Sequence, residues 1–81
     1  MPDLTPKRIR SVRLAAGMTQ DELALRLRDV HAKLYRGVPG VPALKTTCVQ
    51  VSRWEAGDRE PTGTGREALA RLLDDLSRSA P

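Results

Sequence analysis

The sequence contains no phenylalanine and only one residue each of tryptophan, tyrosine, cysteine and histidine. Modules that bind single-stranded nucleic acid by stacking bases on aromatic side chains are therefore disfavoured. The single cysteine, Cys48, has no second cysteine for an internal disulfide, and together with His31 it falls short of a zinc-ligand set. We therefore expect no disulfide, no bound metal and no cofactor.

Long apolar runs are also missing. No stretch approaches the roughly 18 apolar residues of a membrane-spanning helix, and the first residues lack the apolar segment of a signal peptide. A single cytoplasmic domain over residues 1–81, with no membrane partner, is expected, and its 40% apolar content suffices for one modest core. An enzyme is disfavoured because one histidine, one cysteine and scattered carboxylates provide no converging acid, base and nucleophile.

What the chain does carry is positive charge. The formal net charge is +4 and the isoelectric point is near 10, which suits an anionic partner. Four basic residues crowd the first predicted helix: Lys7, Arg8, Arg10 and Arg13. Because an aromatic stacking platform is lacking, duplex DNA fits this composition better than a single strand does.

Four amphipathic helices are predicted, at about residues 6–16, 20–36, 47–56 and 64–77. Each is preceded or opened by a threonine that can cap free backbone N–H groups: Thr5, Thr19, Thr47 and Thr64. Glu22 and Glu67 stand three residues after Thr19 and Thr64, so both pairs are expected to form capping boxes. Gly17 and Gly57 supply the left-handed residues that end the first and third helices.

Apolar residues recur at spacings of three and four and predict the core. They are Ile9, Val12 and Ala16, then Leu23, Leu27, Val30 and Leu34, then Val51 and Trp54, and finally Leu69, Leu72, Leu73 and Leu76. Since Val51 and Trp54 face inward, the third helix must direct another set of side chains outward. That set is Cys48, Val49, Ser52 and Arg53.

Residues 37–43 contain two prolines and two glycines and cannot form a helix interior. The second helix must therefore end by Gly37, and a loop leads from there to the third helix. The apolar face of the end of the second helix needs a cover, which could be the fourth helix, a second subunit or the loop folded back. His31 on this face is expected to be a packed or exposed histidine rather than a ligand or a pH switch.

Three ordered motifs carry a family resemblance. They are hydrophobic-x-x-hydrophobic-Arg at 9–13, Gly-Met-Thr-Gln-x-x-Leu-Ala at 17–24, and Val-Ser-x-Trp-Glu-x-Gly at 51–57, followed by Pro61. Together they resemble the phage repressor and Cro-like (XRE-type) family of helix-turn-helix DNA-binding domains. The resemblance implies an all-α, lambda-repressor-like fold of about four helices, whose third helix enters the major groove.

The resemblance also implies residue roles. It places Cys48, Val49, Ser52 and Arg53 at base edges, with Gln50 secondary, Gln20 on a phosphate, and Arg13 and Glu55 in a structural ion pair. Position and charge add further phosphate contacts at Thr19, Lys45, Thr46, Thr47, Arg10 and Arg59. Trp54 is expected to anchor the core rather than stack on DNA. Three alternatives stay open: Arg53 on a phosphate, Gln20 as an ordinary exposed residue, and Cys48 as a buried or surface thiol.

The chain departs from the family pattern in two places. An insertion at 28–45 separates the second helix from the recognition helix, and the usual fifth helix is absent. The family implies a transcriptional regulator, in particular a repressor, that binds an inverted repeat of double-stranded DNA as a homodimer. The alternative is an antitoxin or phage adaptor whose insertion and last helix bind a protein partner, with DNA binding secondary. A toxin-like reading frame next to the gene would favour this alternative.

Overall fold

A computed structural model of the chain describes residues 4–79. Within these residues the fold consists of four α-helices and contains no strand, which confirms the all-α prediction. The helices are α1 (Pro6–Ala15), α2 (Gln20–Leu34), α3 (Cys48–Ala56) and α4 (Gly63–Ser79). The remaining parts of the predicted domain, residues 1–3 and 80–81, lie outside the described residues.

The caps predicted for α1 and α2 are confirmed. The Thr5 hydroxyl accepts a hydrogen bond from the Arg8 N–H at 3.2 Å. Thr19 and Glu22 form the expected capping box, since each side chain accepts from the other residue's N–H, at 3.1 and 3.0 Å. These bonds satisfy N–H groups that the first helical turn leaves without partners, and so they fix where α1 and α2 begin.

Several helix ends differ from the predicted positions by one or two residues. α1 ends at Ala15, and α2 ends at Leu34 because Tyr35 leaves the helical conformation, with φ −108° and ψ 18°. Thr47 is the N-cap of α3, as predicted, so the helix itself begins at Cys48. α4 begins one residue early, at Gly63, and extends to Ser79. Gly57 ends α3 with a φ of +81°, a conformation that costs glycine little.

α2 is the central helix of the core and packs against both α3 and α4. α4 runs back along α2 in the opposite direction, because Thr64 meets His31 near the end of α2 and Leu76 lies beside Leu25 in its first half. Ten buried side chains from all four helices form one cluster: Ile9, Leu23, Ala24, Leu27, Val51, Trp54, Ala68, Leu69, Leu72 and Leu73. The prediction that Ala16 and Leu34 belong to the core is wrong, since Ala16 is exposed just after α1 and Leu34 is 39% exposed and borders a surface groove between α2 and α4.

The start of α4 covers the end of α2. His31 is buried, and its Nε2 lies 2.8 Å from the hydroxyl oxygen of Thr64. The Tyr35 hydroxyl donates to the Glu67 carboxylate, and this hydrogen bond raises the pKa of the Tyr35 phenol. The capping box predicted for Thr64 and Glu67 is therefore wrong, because α4 starts before Thr64, and the two side chains contact His31 and Tyr35 instead.

The loop is held against the start of α4 by Leu44. This residue packs against the core, and a Cβ placed at Gly65 would lie 3.3 Å from Leu44 Cδ1. A glycine at position 65 therefore allows the loop to approach α4 closely. The contact brings the chain back to the core just before α3 begins.

Candidate nucleic-acid interface

The outward face of α3 is a stripe of side chains formed by Val49, Ser52 and Arg53, all of them exposed. Val51 and Trp54 are buried on the opposite side, and Trp54 lies in the core cluster. Val49 is apolar yet 54% exposed, so nothing in the described chain covers it. Cys48, at the start of the helix, is a free thiol and only partly buried. The helix thus presents an uncovered face with one guanidinium, one hydroxyl and one branched apolar group.

Two of the predicted contact residues are committed within the protein. Gln50 is exposed, but its Oε1 accepts a hydrogen bond from the Thr47 N–H at 2.9 Å. Its carbonyl oxygen therefore helps to cap α3. Thr46 was expected to contact a phosphate, and this prediction is wrong because the residue is only 4% exposed. The loop turns Thr46 inward as it approaches the core, so its side chain cannot reach an external ligand.

Arg13 and Glu55 form a bidentate ion pair that joins α1 to α3. Arg13 Nε and Nη2 donate to the two carboxylate oxygens of Glu55 at 2.7 and 2.9 Å. Arg13 Nη1 also donates to the backbone oxygen of Met18 at 2.8 Å, in the turn before α2. The two side chains are only 10% and 5% exposed. One guanidinium therefore fixes α1, α3 and the entry to α2 relative to each other.

Gln20, the first residue of α2, lies beside this ion pair. Its Nε2 donates to Glu55 Oε1 at 3.3 Å, which places the start of α2 next to the second half of α3. The sequence gives no sign of this contact, because the two residues lie far apart in the chain and belong to different motifs. One hydrogen on Gln20 Nε2 is used by this bond, and the other is left for a second acceptor.

Two opposed influences set the pKa of Glu55. Burial alone would raise this pKa, but hydrogen bonds from Arg13 and Gln20 and the positive charges of Arg13 and Arg10 hold it below its ordinary value of 4.5. A group whose pKa is depressed by folding stabilises the protein above its unfolded pKa. That stabilisation is lost as the pH falls through the folded-state value.

We therefore expect acid to unfold the protein in part through Glu55. Its contribution to the free energy of unfolding should be constant near neutral pH and should decline as the pH falls below 4.5. Urea denaturation of the wild type and of Glu55→Gln between neutral and acid pH measures this contribution. The variant should be less stable at neutral pH, and the difference should shrink with acidification. A difference that stays the same at every pH would show that Glu55 has the same pKa in the folded and unfolded states.

The other predicted phosphate-binding residues lie on the surface around α3. Arg10, Lys45 and Arg59 are exposed, as is Thr19, although the Thr19 hydroxyl is engaged in the cap of α2. A shallow depression beside α3 also contains two residues that the sequence did not single out, Glu60 and Thr62. The full lining is Gln50, Arg53, Arg59, Glu60 and Thr62. Arg53 and Arg59 thus border the same concave surface.

No helix in 4–79 is both long enough and apolar enough to cross a membrane. The same residues contain no group of histidine, cysteine and carboxylate side chains that could hold a metal ion. Comparison with family models, curated proteins and solved structures finds no match to this chain.

Proposed function

We propose that this protein is a sequence-specific, double-stranded DNA-binding transcriptional regulator with a lambda-repressor-like helix-turn-helix fold. In this proposal α3 lies in the major groove, and Val49, Ser52 and Arg53 contact base edges. A homodimer on an inverted repeat would act as a repressor by occluding a promoter. Arg10, Gln20, Lys45 and Arg59 contact phosphates on either side of the groove.

The observation that carries the proposal is the position of Gln20 relative to α3. The hydrogen bond between Gln20 and Glu55 holds the first turn of α2 beside the recognition helix. A helix N-terminus presents free N–H groups and a positive dipole end, both of which attract a phosphate. A phosphate bound there would flank the groove that the exposed stripe of α3 enters.

The distribution of positive charge also favours DNA binding on the side of the protein that carries α3. None of the ion pairs within residues 4–79 uses Lys45, Arg53 or Arg59, so these cations are not neutralised by the protein itself, whereas the charge of Arg10 acts on Glu55. The paired charges lie elsewhere, on α2 and α4, and in the buried Arg13–Glu55 pair. Basic side chains without an internal partner are suited to replace the counterions of a DNA backbone.

Selection from a random duplex library tests this function. The purified protein is incubated with the pool at about 0.15 M salt, and the retained duplexes are sequenced. Enrichment of an inverted repeat whose half-sites are about one helical turn apart is expected. If duplexes were retained only at low salt and shared no sequence, the protein would bind DNA nonspecifically through phosphate contacts. That result would contradict the proposal of a sequence-specific regulator.

Substitution of Gln20 tests the phosphate contact. Gln20→Ala should weaken binding to every sequence by a similar factor, about fivefold, since a phosphate contact carries no base information. Titration of the selected site and a scrambled duplex by fluorescence anisotropy measures both affinities. Arg28→Ala, an exposed cation elsewhere on α2, is the control and should bind like the wild type. A loss confined to the selected site would remove Gln20 from the phosphate contacts.

One observation favours a second candidate function, an antitoxin or phage adaptor that binds a protein through its insertion and last helix. Leu34 and Val38 are 39% and 46% exposed and lie at the end of α2 and the start of the loop. Exposed apolar side chains of this kind suit a protein partner. Under this alternative, Val38→Glu would abolish capture of the partner and leave DNA binding unchanged.

A further inference from the structure

The outer face of α2, bordered by α4, carries two adjoining grooves. The first is lined by Ala16, Met18, Glu22, Leu25, Arg26 and Leu76. The second continues along α2 and contains the apolar residues Val30 and Leu34. Leu25 is 50% exposed although it is a large apolar residue in mid-helix. This face, here named the α2 outer face, thus combines exposed apolar side chains with charged ones, and the second groove is mostly charged because Arg71 and Asp75 of α4 also line it.

The charges on the α2 outer face follow a regular order. Glu22, Arg26, Asp29 and Lys33 are spaced by four, three and four residues, so they share one side of the helix. All four line the two grooves, and their signs alternate from negative to positive along the helix. Asp29 and Lys33 also form an exposed pair at 3.1 Å within the helix.

This order of charges is complementary to its own reverse. A second copy of α2 can lie antiparallel to the first, with a twofold axis between Arg26 and Asp29. Each of the four charged residues then faces a residue of opposite charge in the second copy. Glu22 then faces Lys33 of the second copy, and Arg26 faces its Asp29. A twofold interface requires such self-complementarity, because each contact between two positions occurs twice.

We propose that the α2 outer face is the interface of a homodimer in which two α2 helices pack antiparallel. Burial of Leu25, Met18, Leu76 and Leu34 supplies the affinity. The exposed charge pairs contribute little energy and instead select the antiparallel register. The proposal deepens the proposed function, on which it rests for the biological need of a second copy, because an inverted repeat is bound by two chains.

The charge order allows a test by complementary variants. Glu22→Gln with Asp29→Lys leaves only positive charge at these four positions of α2. It also keeps a side-chain oxygen at position 22 for the Thr19 cap. Arg26→Glu with Lys33→Glu leaves only negative charge. Each variant alone should dimerise at least about tenfold more weakly than the wild type, because like charges then face each other. An equimolar mixture of the two variants should form a heterodimer. Sedimentation velocity without DNA measures the species against the 8.9 kDa of one chain.

Two further variants address the apolar part. Leu25→Glu should be monomeric, whereas Val38→Glu, a similarly exposed apolar residue outside the grooves, should dimerise like the wild type. Arg28→Glu is the charge control on another side of α2. Circular dichroism checks that every variant keeps its helical content.

Three results would overturn the interface. They are a wild type that stays monomeric at every concentration, charge variants that dimerise as well as the wild type, and a mixture that forms no heterodimer. Binding to the selected duplex is measured separately. A monomeric Leu25→Glu chain that still selects the same half-site, with weaker binding to the whole repeat, supports both proposals. An overturned interface with an enriched inverted repeat would leave the proposed function standing.

Discussion

Replacing Glu55 with alanine is expected to lower the free energy of unfolding by about 3 to 5 kcal/mol, the largest effect of any substitution considered. The variant leaves the guanidinium of Arg13, only 10% exposed, without its carboxylate and with the Met18 oxygen as its remaining acceptor. An uncompensated buried charge costs more than the pair contributed when intact. A drop of 3 kcal/mol corresponds to about 12 °C or more in the melting temperature of so small a domain. Differential scanning calorimetry and urea denaturation measure both quantities.

A matched control comes from the exposed pair of Asp74 and Arg78 on α4, whose nitrogen and oxygen atoms are 2.9 Å apart. Asp74→Ala should change stability by less than about 0.5 kcal/mol, because solvent screens the pair. The double variant Arg13→Met with Glu55→Leu removes both charges and should recover much of the loss. Equal effects of Glu55→Ala and Asp74→Ala would show that solvent reaches the Arg13 guanidinium.

Under the proposed function, replacing Arg53 with alanine is expected to remove discrimination at one base pair of each half-site, while other positions stay selective. A guanidinium that donates two hydrogen bonds to guanine accounts for about 1 to 3 kcal/mol, or roughly 5- to 150-fold in affinity. The measurement is a binding series over the selected site and its single-base variants. The wild type should prefer guanine over the other three bases at that position, and the variant should bind all four about equally.

Arg59→Ala is the comparison for this experiment, because Arg59 borders the same depression as Arg53 but lies in the turn beyond α3. It should weaken all duplexes alike and reduce the dependence of binding on salt. If Arg53→Ala behaved in the same way, Arg53 would be a phosphate contact. Base selection would then rest on Val49 and Ser52.

Local signals in the sequence predicted most of the fold. Thr5, Thr19 and Gly57 mark helix ends through bonds and backbone angles that depend only on near neighbours. Thr64 has the same local pattern as Thr19, yet its hydroxyl meets His31 on a distant helix. A capping pattern cannot show that competition, because it depends on how α4 packs against α2. Leu34 is outside the core for a similar reason, since its periodicity is right but its position borders a surface groove.

The candidate site was predictable in part. Helical periodicity alone places Val49, Ser52 and Arg53 on the side opposite Val51. The pairing of Arg13 with Glu55 could be anticipated only from the family resemblance, because nothing local connects them. The inward turn of Thr46 and the hydrogen bond from Gln20 to Glu55 depend on the path of the loop and the docking of α2. Neither leaves a pattern in the sequence.

The loop between α2 and α3 is fixed at both ends and exposed between them. Tyr35 holds one end through Glu67, Leu44 and Thr46 hold the other, and Pro39 and Gly40 lie exposed between them. Doubling the length of such a segment costs only about 0.6 kcal/mol of closure entropy. Insertions into this connection are therefore expected to disturb the helices little. The same tolerance makes the stretch around Gly40 a suitable place to insert a fluorescent reporter or an affinity tag.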